Sequence, residues 1–554
     1  MNTVAEKRSL MPRIVVLSGP VGSGKSTLAS DLTDRYGANH IRTQEIIKSL
    51  AAQAGVPLPN ERKALQDYGD LLDEHTDGAW VADAVDKCIG DSADNVELII
   101  VDAVRRLAQI EALRDRYPAR VTHIHVDAPT DVLESRYEER KRSAGPLQEL
   151  HSYRDVALNK TESQTTSLGQ DADVSIDTDR CSSADVAIRA AAALRLDVSR
   201  SARLVDVLIG GQYGSEGKGN IAYFMAQEYD LLMRVGGPNA GHKVPTKDTA
   251  YTHRLLPSGT LANSRAKLLI GPGATLDVQL LLKEISECGV ENTRLVIDPQ
   301  AMIIEDSDKA AESHLKSTIG STGKGGGSAA SRRIMGRTGG GEEPVRLAKD
   351  VDELAPYIGS AADLLEETFR RNGRVLLEGT QGTGLSIYHG HYPHVTSRDT
   401  TTSATLAEAG IGPHRLRRVV MVIRTYPIRV GNPINGESGH MSQEVDWDKI
   451  ADRSGHDETV LRDNEKGSVS GTKRRVGEFD WVQLKRAANL NGATDIALTF
   501  TDYIDKQNED ARRFEQLSEA TVNFVEEVEK VAGAPVSLIG TRFDKRSVID
   551  RREW

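Results

Sequence analysis

Two glycine-rich stretches, each carrying a lysine set up for phosphate, are the parts of this 554-residue sequence best able to do chemistry. The first, Gly19-Pro-Val-Gly22-Ser-Gly24-Lys25-Ser26-Thr27, fits the GxxxxGK[ST] pattern, follows an apolar strand-like run and opens an amphipathic helix. Glycines let backbone N–H groups turn inward on a β-phosphate, and the helix start adds its positive dipole end. Lys25 then reaches the β- and γ-oxygens, and Ser26 can ligate Mg2+. Downstream, Asp102 closes the run Ile99-Ile-Val-Asp102, where a second carboxylate on the Mg2+ side would sit. Arg105 and Arg106 follow it, and Arg136 and Arg140 share a helical face; arginines so placed can neutralise a phosphoryl group in transfer.

The second stretch is Ile209-Gly-Gly-Gln-Tyr-Gly214-Ser215-Glu216-Gly217-Lys218-Gly219. Its spacing is not that of the first, but it too runs from a strand into a helix and offers amides and one lysine to phosphate. More clusters follow: Gly236-Gly-Pro-Asn239-Ala240-Gly241-His242, Leu255-Leu-Pro-Ser-Gly259, Ile319-Gly-Ser-Thr322-Gly-Lys324-Gly, Glu378-Gly-Thr-Gln381-Gly382 and Tyr392-Pro-His-Val-Thr396-Ser397. Singly each reads as a turn; their series reads as one nucleotide site.

The elements that must carry these loops are α/β. Strand-like runs at Arg13–Ser18, Val96–Val101, Val121–Val126 and Asp173–Ile176 alternate with helical segments up to Ser183–Leu196, the pattern of a parallel sheet with helices on both faces. A second set runs through Leu204–Ile209, Lys267–Ile270, Arg294–Ile297, Arg374–Leu377, Val419–Arg424, Asp495–Thr499 and Val536–Ile539. Only 10 of the 49 glycines precede residue 204, which separates a compact first part from a loop-rich second one. The expected division is a tail at 1–12, a P-loop domain at 13–197, a link at 198–203 and a second α/β domain at 204–554.

Composition sets limits. At 38 % hydrophobic and 27 % charged, with no apolar run near the roughly 18 residues of a membrane span, the sequence reads as a soluble cytoplasmic protein without a secretory leader. Three scattered cysteines, Cys88, Cys181 and Cys288, fit neither a CxxC metal site nor a disulfide framework. A net charge of −11 argues against a nucleic-acid partner.

The first part resembles nucleoside-monophosphate kinases. That resemblance implies ATP held by Gly19, Gly22, Gly24, Lys25, Ser26, Thr27 and Arg136, metal held by Ser26 and Asp102, and an acceptor near Arg42-Thr43, Arg62 and Arg105. The loop series from residue 204 onward resembles the adenylosuccinate synthetases, whose loops read GDEGKGK, GNNAGHT, IGTTGRG and EGAQG. Those enzymes join aspartate to C6 of IMP with GTP, by phosphorylating O6 and then displacing phosphate with the amine. The resemblance implies that Gly214, Ser215, Glu216, Gly217, Lys218 and Gly219 hold the γ-phosphate, that Gly241 gives a carbonyl to Mg2+, and that His242 stabilises charge passing between O6 and phosphate. It assigns Asn239, Ala240, Thr322, Lys324, Gln381, Leu385 and Thr396 to the nucleotides, with Gln381 also in the catalytic set. Val469, Ser470, Gly471 and Arg474 fall to aspartate. An arginine from a neighbouring subunit, Arg337 or Arg333, implies a homodimer.

Three departures narrow the resemblance. Ser215 replaces the family's aspartate, which removes the N1 proton and ligates Mg2+; a hydroxyl is no base at neutral pH. Thr472 replaces an arginine near the ribose 2′-oxygen, although Arg474 remains to pair with a carboxylate. Both features resemble the 2-aminoadenylosuccinate synthetases of phages whose DNA carries 2,6-diaminopurine, and so imply dGMP in place of IMP. Thirdly, Phe500-Thr-Asp502 and Gly540-Thr-Arg-Phe-Asp544 replace the family's Lys-Leu-Asp and Gly-Pro at the guanine of the donor. Asp502 can still accept from guanine, but ATP or dATP becomes at least as good an expectation as GTP. The expected protein is a ligase fused to a kinase, using Mg2+, aspartate and dGMP. An IMP-using synthetase and a purine-sensing regulator without turnover are the alternatives.

Overall fold

The computed structural model describes residues 12–59, 62–91, 97–142, 152–157, 160–196, 202–246, 250–338, 345–465 and 474–554. The chain forms two compact units, Met1–Val198 and Ser199–Trp554.

In the first unit five parallel strands lie in the order Asn39–Arg42, Leu98–Asp102, Arg13–Ser18, Val121–Asp127, Val174–Asp177. Alternate residues of the central strands serve opposite faces. Ile14, Val16, Ile99 and Val101 pack against Trp80, Val81 and Ile110, whereas Val15, Leu17, Ile100 and Ile124 pack against Leu28, Leu32 and Ala190. Each of these buried aliphatics contributes roughly 1.5–3 kcal/mol, so the loop after Ser18 starts from a rigid base. The Asn39–Arg42 strand is one the sequence pattern does not announce. Of its four residues only Ile41 is buried, as befits a sheet edge.

The second unit is built on a nine-stranded sheet: Leu295–Ile297, Lys267–Ile270, Leu231–Arg234, Val375–Glu378, Val205–Gly210, Leu416–Arg424, Asp495–Thr499, Val536–Gly540, Val548–Asp550. All neighbours are parallel except the last pair. Both faces are covered. Leu208, Leu232, Leu376, Val420 and Leu538 serve one face, and Val207, Met233, Leu377, Met421 and Leu498 the other. Leu231–Arg234 was not expected as a strand, because a four-residue apolar run ending in arginine has no legible period. A short hairpin, His242–Pro245 against Ala250–His253, stands apart from the sheet and pairs His242 with His253. Among the described residues no helix is long and apolar enough to cross a membrane.

Candidate functional site

In the first unit the Arg13–Ser18 strand delivers the chain to Gly19, and the helix Lys25–Tyr36 leaves from Gly24. Gly19 has φ +142°, and a Cβ there would stand 2.0 Å from the Val126 carbonyl oxygen, so only glycine lets the loop pass the next strand. Gly22 to Thr27 and Asp102 border a cavity of about 1310 Å3, whose rim also carries Arg42, Arg105, Arg136 and Arg140. Gly19 is not among its lining residues. Lys25 donates to the carbonyls of Gly19 and Pro20 at 2.6 and 2.8 Å. Ser26 Oγ donates to Asp102 Oδ2 at 2.9 Å, and Asp102 Oδ1 is buried with no partner among the described residues. A hydroxyl beside a carboxylate with a spare oxygen is a hard-donor pair that suits Mg2+ together with phosphate oxygens.

Arg136 is anchored on the Thr178 hydroxyl and carbonyl, both at 2.9 Å, and Arg42 lies beside Glu45 at 3.3 Å. Arg106 corrects an expectation: it does not line the cavity but pairs with Asp70 at 2.5 Å and Asp73 at 3.2 Å. Burial raises the Asp73 carboxyl against the hydrogen bonds of Gln109 and Trp80 and the charge of Arg106. Arg106 therefore braces the wall. Arg62 begins a helix, and nothing more is described of it.

In the second unit the Val205–Gly210 strand feeds the second glycine loop, and the helix Lys218–Met225 starts behind Gly217. Glu216 is the loop's internal counter-ion. Its carboxylate accepts the N–H of Gln212 at 3.0 Å, that of Gly214 at 2.8 Å and Lys218 Nζ at 2.7 Å, with both side chains almost fully buried. The groups that would grip a phosphate are thus assembled around a carboxylate of the chain itself. Gly210 lets Gln381 approach, since a Cβ there would lie 2.5 Å from the Gln381 carbonyl oxygen and 2.8 Å from Lys218 Nζ. Gln381 itself sits at φ +57°, with its Oε1 held by the Thr380 hydroxyl at 2.7 Å. Leu385 packs near Gly214, and its carbonyl accepts the Thr396 N–H at 2.8 Å. Lys218, Gln381, Leu385 and Thr396, scattered in sequence, therefore belong to one wall.

His242 lies on the hairpin and is 3 % exposed. Its Nδ1 is hydrogen-bonded to Glu378, at the end of the Val375–Glu378 strand, while Nε2 is buried without a partner among the described residues. Ser258 donates its N–H and hydroxyl to the same carboxylate, and Arg234 stands 3.6 Å away. Burial, and then Arg234, hold the His242 imidazole down at about 4, so it is neutral near pH 7. Burial alone would raise the Glu378 carboxyl, but Arg234, His242 and Ser258 keep it at about 2. Sequence reading placed Glu378 and Ser258 within glycine clusters without giving them a role, and it passed over Arg234. Arg234 also donates to the Ala240 carbonyl at 3.0 Å, fixing the turn that presents Gly241.

Asn239 lies beside Gly326, at the start of the helix Gly326–Met335, with its Oδ1 buried and unpartnered among the described residues. Thr322 and Lys324 precede that helix. Burial, then Arg254, lowers the Lys324 ammonium. The amides of Gly325, Gly327 and Ser328 are taken by Glu312 at 2.6 to 3.0 Å. At the other end of the helix Arg337 is exposed, its Nε donating to the Ile334 carbonyl.

Val469, Ser470, Gly471 and Thr472 lie outside the described residues. Arg474 is described: its Nη1 is 3.5 Å from Glu465. Asp502 is 6 % exposed, with Oδ1 unpartnered among the described residues and His456 Nε2 3.7 Å from Oδ2. Burial, aided by the nearby Glu509, pushes its carboxyl up to about 8. Phe500, at φ +59°, lies close to Gly217, and Thr501 Oγ1 donates to the Gly540 carbonyl at 3.2 Å.

Residues 207–341 and 341–509 match the family model of adenylosuccinate synthetase. The chain belongs to the adenylosuccinate synthetase family. Its curated relatives include the adenylosuccinate synthetases of Methanococcus aeolicus, 38 % identical over 355 residues, and of Methanocaldococcus jannaschii, 37 % over 354. These alignments cover 62 % of this chain and 99 % and 96 % of the relatives. Among solved structures, the fully ligated adenylosuccinate synthetase of Plasmodium falciparum shares the fold at a TM-score of 0.55 and 21 % identity, over 63 % of this chain and all of that one. The succinoaminodeoxyadenylate synthetase of cyanophage S-2L, bound to dGMP with dATP as energy donor, is 27 % identical at a TM-score of 0.53, over 63 % of this chain and 96 % of that one. Residues 14–157 match an AAA domain model, so a P-loop unit of kinase-like fold is fused ahead of the C–N ligase unit.

Proposed function

We propose that the synthetase unit condenses L-aspartate with C6 of dGMP, driven by ATP or dATP, to give 2-amino-2′-deoxyadenylosuccinate. The carrying observation is Ser215. Its short hydroxyl leaves room for the 2-amino group of guanine where the longer side chain of an aspartate would crowd it. In the first step N1 gives up its proton to water and O6 attacks the γ-phosphorus as the bond to the diphosphate breaks; in the second the aspartate amine attacks C6, phosphate leaves and the new C–N nitrogen gives up a proton to water. Lys218 and the amides of residues 214–219 would take the γ-phosphate by displacing Glu216. His242, its Nδ1 proton committed to Glu378, would turn Nε2 toward the oxygen that carries charge between O6 and phosphorus. Asn239, Ala240, Thr322, Lys324, Gln381, Leu385 and Thr396 would hold the nucleotides, and Arg474, with Val469, Ser470 and Gly471, the aspartate.

The Gly241 carbonyl and the Ser215 hydroxyl would hold Mg2+, which when bound would neutralise charge on the phosphates. These neutral oxygens are hard donors of the kind it takes. Asp502 favours an adenine donor. A carboxyl kept neutral by burial presents one donor and one acceptor, which match N1 and the 6-amine of adenine, whereas guanine needs two acceptors.

The first unit we read as a deoxynucleoside monophosphate kinase, with Gly19 to Thr27 and Arg136 on ATP, Ser26 and Asp102 on Mg2+, and Arg42 and Arg105 toward the acceptor. Exposed Ile334 and Met335 beside Arg333 and Arg337 suit a homodimer contact. An IMP-using synthetase is the competing reading, favoured by the archaeal relatives. Incubation with aspartate, MgATP and either dGMP or IMP, read by mass spectrometry, tests the proposal. The aspartyl adduct of dGMP is expected, and an adduct of IMP alone would overturn the dGMP assignment.

A further inference from the structure

The strand Leu416–Arg424 ends on a residue to which the chemistry above gives no part. Arg424 is 1 % exposed, and its main chain is locked to the phosphate loop: its N–H donates to Gln212 Oε1 and its carbonyl accepts from Gln212 Nε2, both at 3.0 Å. The guanidinium reaches several groups. Nη1 donates to the Ser215 carbonyl at 3.2 Å, Nη1 and Nη2 hold the two oxygens of Glu465 at 3.3 and 2.7 Å, and the ring centre of Phe500 lies 3.9 Å away.

Glu465 is buried as well. It accepts the Tyr503 hydroxyl at 2.9 Å, and its second oxygen is 3.5 Å from Arg474. Burial would raise its carboxyl, but Arg424, then Arg474 and Tyr503, hold it low and ionised. Two guanidinium groups therefore share one carboxylate, Arg424 in close bidentate geometry and Arg474 at arm's length. Asp502, another carboxyl near Arg424, is kept neutral near pH 7 by its own burial. Among the described residues this buried cluster holds two cations and one anion, and buried charge in excess is costly until an anion arrives.

We infer that Arg424 is a positioning residue of the ligase reaction: it fixes the Ser215 end of the phosphate loop and keeps Glu465 turned away from Arg474, leaving Arg474 open to the carboxylate of the incoming amino acid. This rests on the reading that Arg474 receives that carboxylate. Without Arg424, Glu465 has one cation left and closes on it. The amino acid must then compete with a carboxylate already in place, and Ser215 loses its anchor.

The consequence is a pattern that damage to the fold would not produce. In steady-state condensation assays, Arg424→Met should raise the aspartate KM at least tenfold and lower kcat at least tenfold. Adding Glu465→Gln to it removes the competitor, so the aspartate KM should fall back at least fivefold while kcat stays low. Failure of the KM to fall back, or a kcat of the double variant within threefold of wild type, would overturn the inference. Should Arg424→Met alone not fold, because it strands a buried carboxylate, the charge-balanced double variant and Arg424→Lys decide. A lysine cannot span the Ser215 carbonyl and both oxygens of Glu465, so it should lower kcat at least tenfold, and a loss below threefold contradicts the role. Absence of condensation in the wild type would instead remove the ligase reading itself.

Discussion

His242 and Glu378, 136 residues apart in sequence, are joined by a hydrogen bond between imidazole Nδ1 and carboxylate deep in the synthetase unit, which leaves Nε2 without a partner among the described residues. The hairpin brings one partner and the end of a central strand the other. A carboxylate so placed fixes the tautomer and supports positive charge on the ring when an anion meets Nε2.

His242→Ala should lower kcat about 100-fold or more and leave the nucleotide dissociation constant within about threefold, because a group acting on transition-state charge affects rate more than affinity. Glu378→Gln keeps an acceptor for Nδ1 but loses the charge, so a fall in kcat of about tenfold or more is expected. A His242→Ala enzyme retaining over a tenth of the rate would contradict the role.

His253 faces His242 across the hairpin with neither ring nitrogen partnered among the described residues. Burial, then Arg234, lowers its imidazole to about 3, and His242 is lowered to about 4. Between these values and the ordinary 6.5 the unfolded chain binds protons that the folded chain refuses, so stability is full above pH 6.5 and falls as pH drops toward 4. Each pH unit of displacement is worth about 1.4 kcal/mol. His253→Phe should therefore soften the loss of stability between pH 7 and 5, seen in urea unfolding as a smaller shift of midpoint. An unchanged shift would mean that His253 does not titrate this way.

Lys25→Ala should abolish ADP formation dependent on a nucleoside monophosphate and spare aspartate condensation, because the two lysine loops belong to separate compact units. Separate assays of ADP and of the aspartyl adduct check this; joint loss would refute independent sites.

Much of this architecture was legible because strands buried on both faces are written as unbroken apolar runs. Val419–Arg424 and Asp495–Thr499 could be read directly, as could Leu204–Ile209 and Arg374–Leu377, and the glycine loops after the last two marked where ligands approach. The edge strand Asn39–Arg42 could not, since an edge buries one residue in four and loses its pattern. Partnerships were the least legible feature. Glu378 with His242 and Arg424 with Glu465 join residues whose meeting depends on the fold. Arg106 stands next to Arg105 in sequence, yet it braces Asp70 and Asp73 while its neighbour lines the cavity. Only packing separates them.

Ser215→Asp should turn nucleobase choice against dGMP. The larger, charged side chain meets the 2-amino group and restores a base for a purine lacking it. The ratio of kcat/KM for dGMP to that for dIMP should fall roughly tenfold or more, one or more kcal/mol at a desolvated contact. A ratio that stays put would show that Ser215 does not select the base.

The most direct measurement is that same specificity in the unaltered chain: kcat/KM for dGMP and for IMP, each with saturating aspartate and MgATP, from initial rates of phosphate release with the adduct identified by mass. The account predicts dGMP ahead of IMP by tenfold or more. An enzyme that prefers IMP, or treats the two alike, would contradict it.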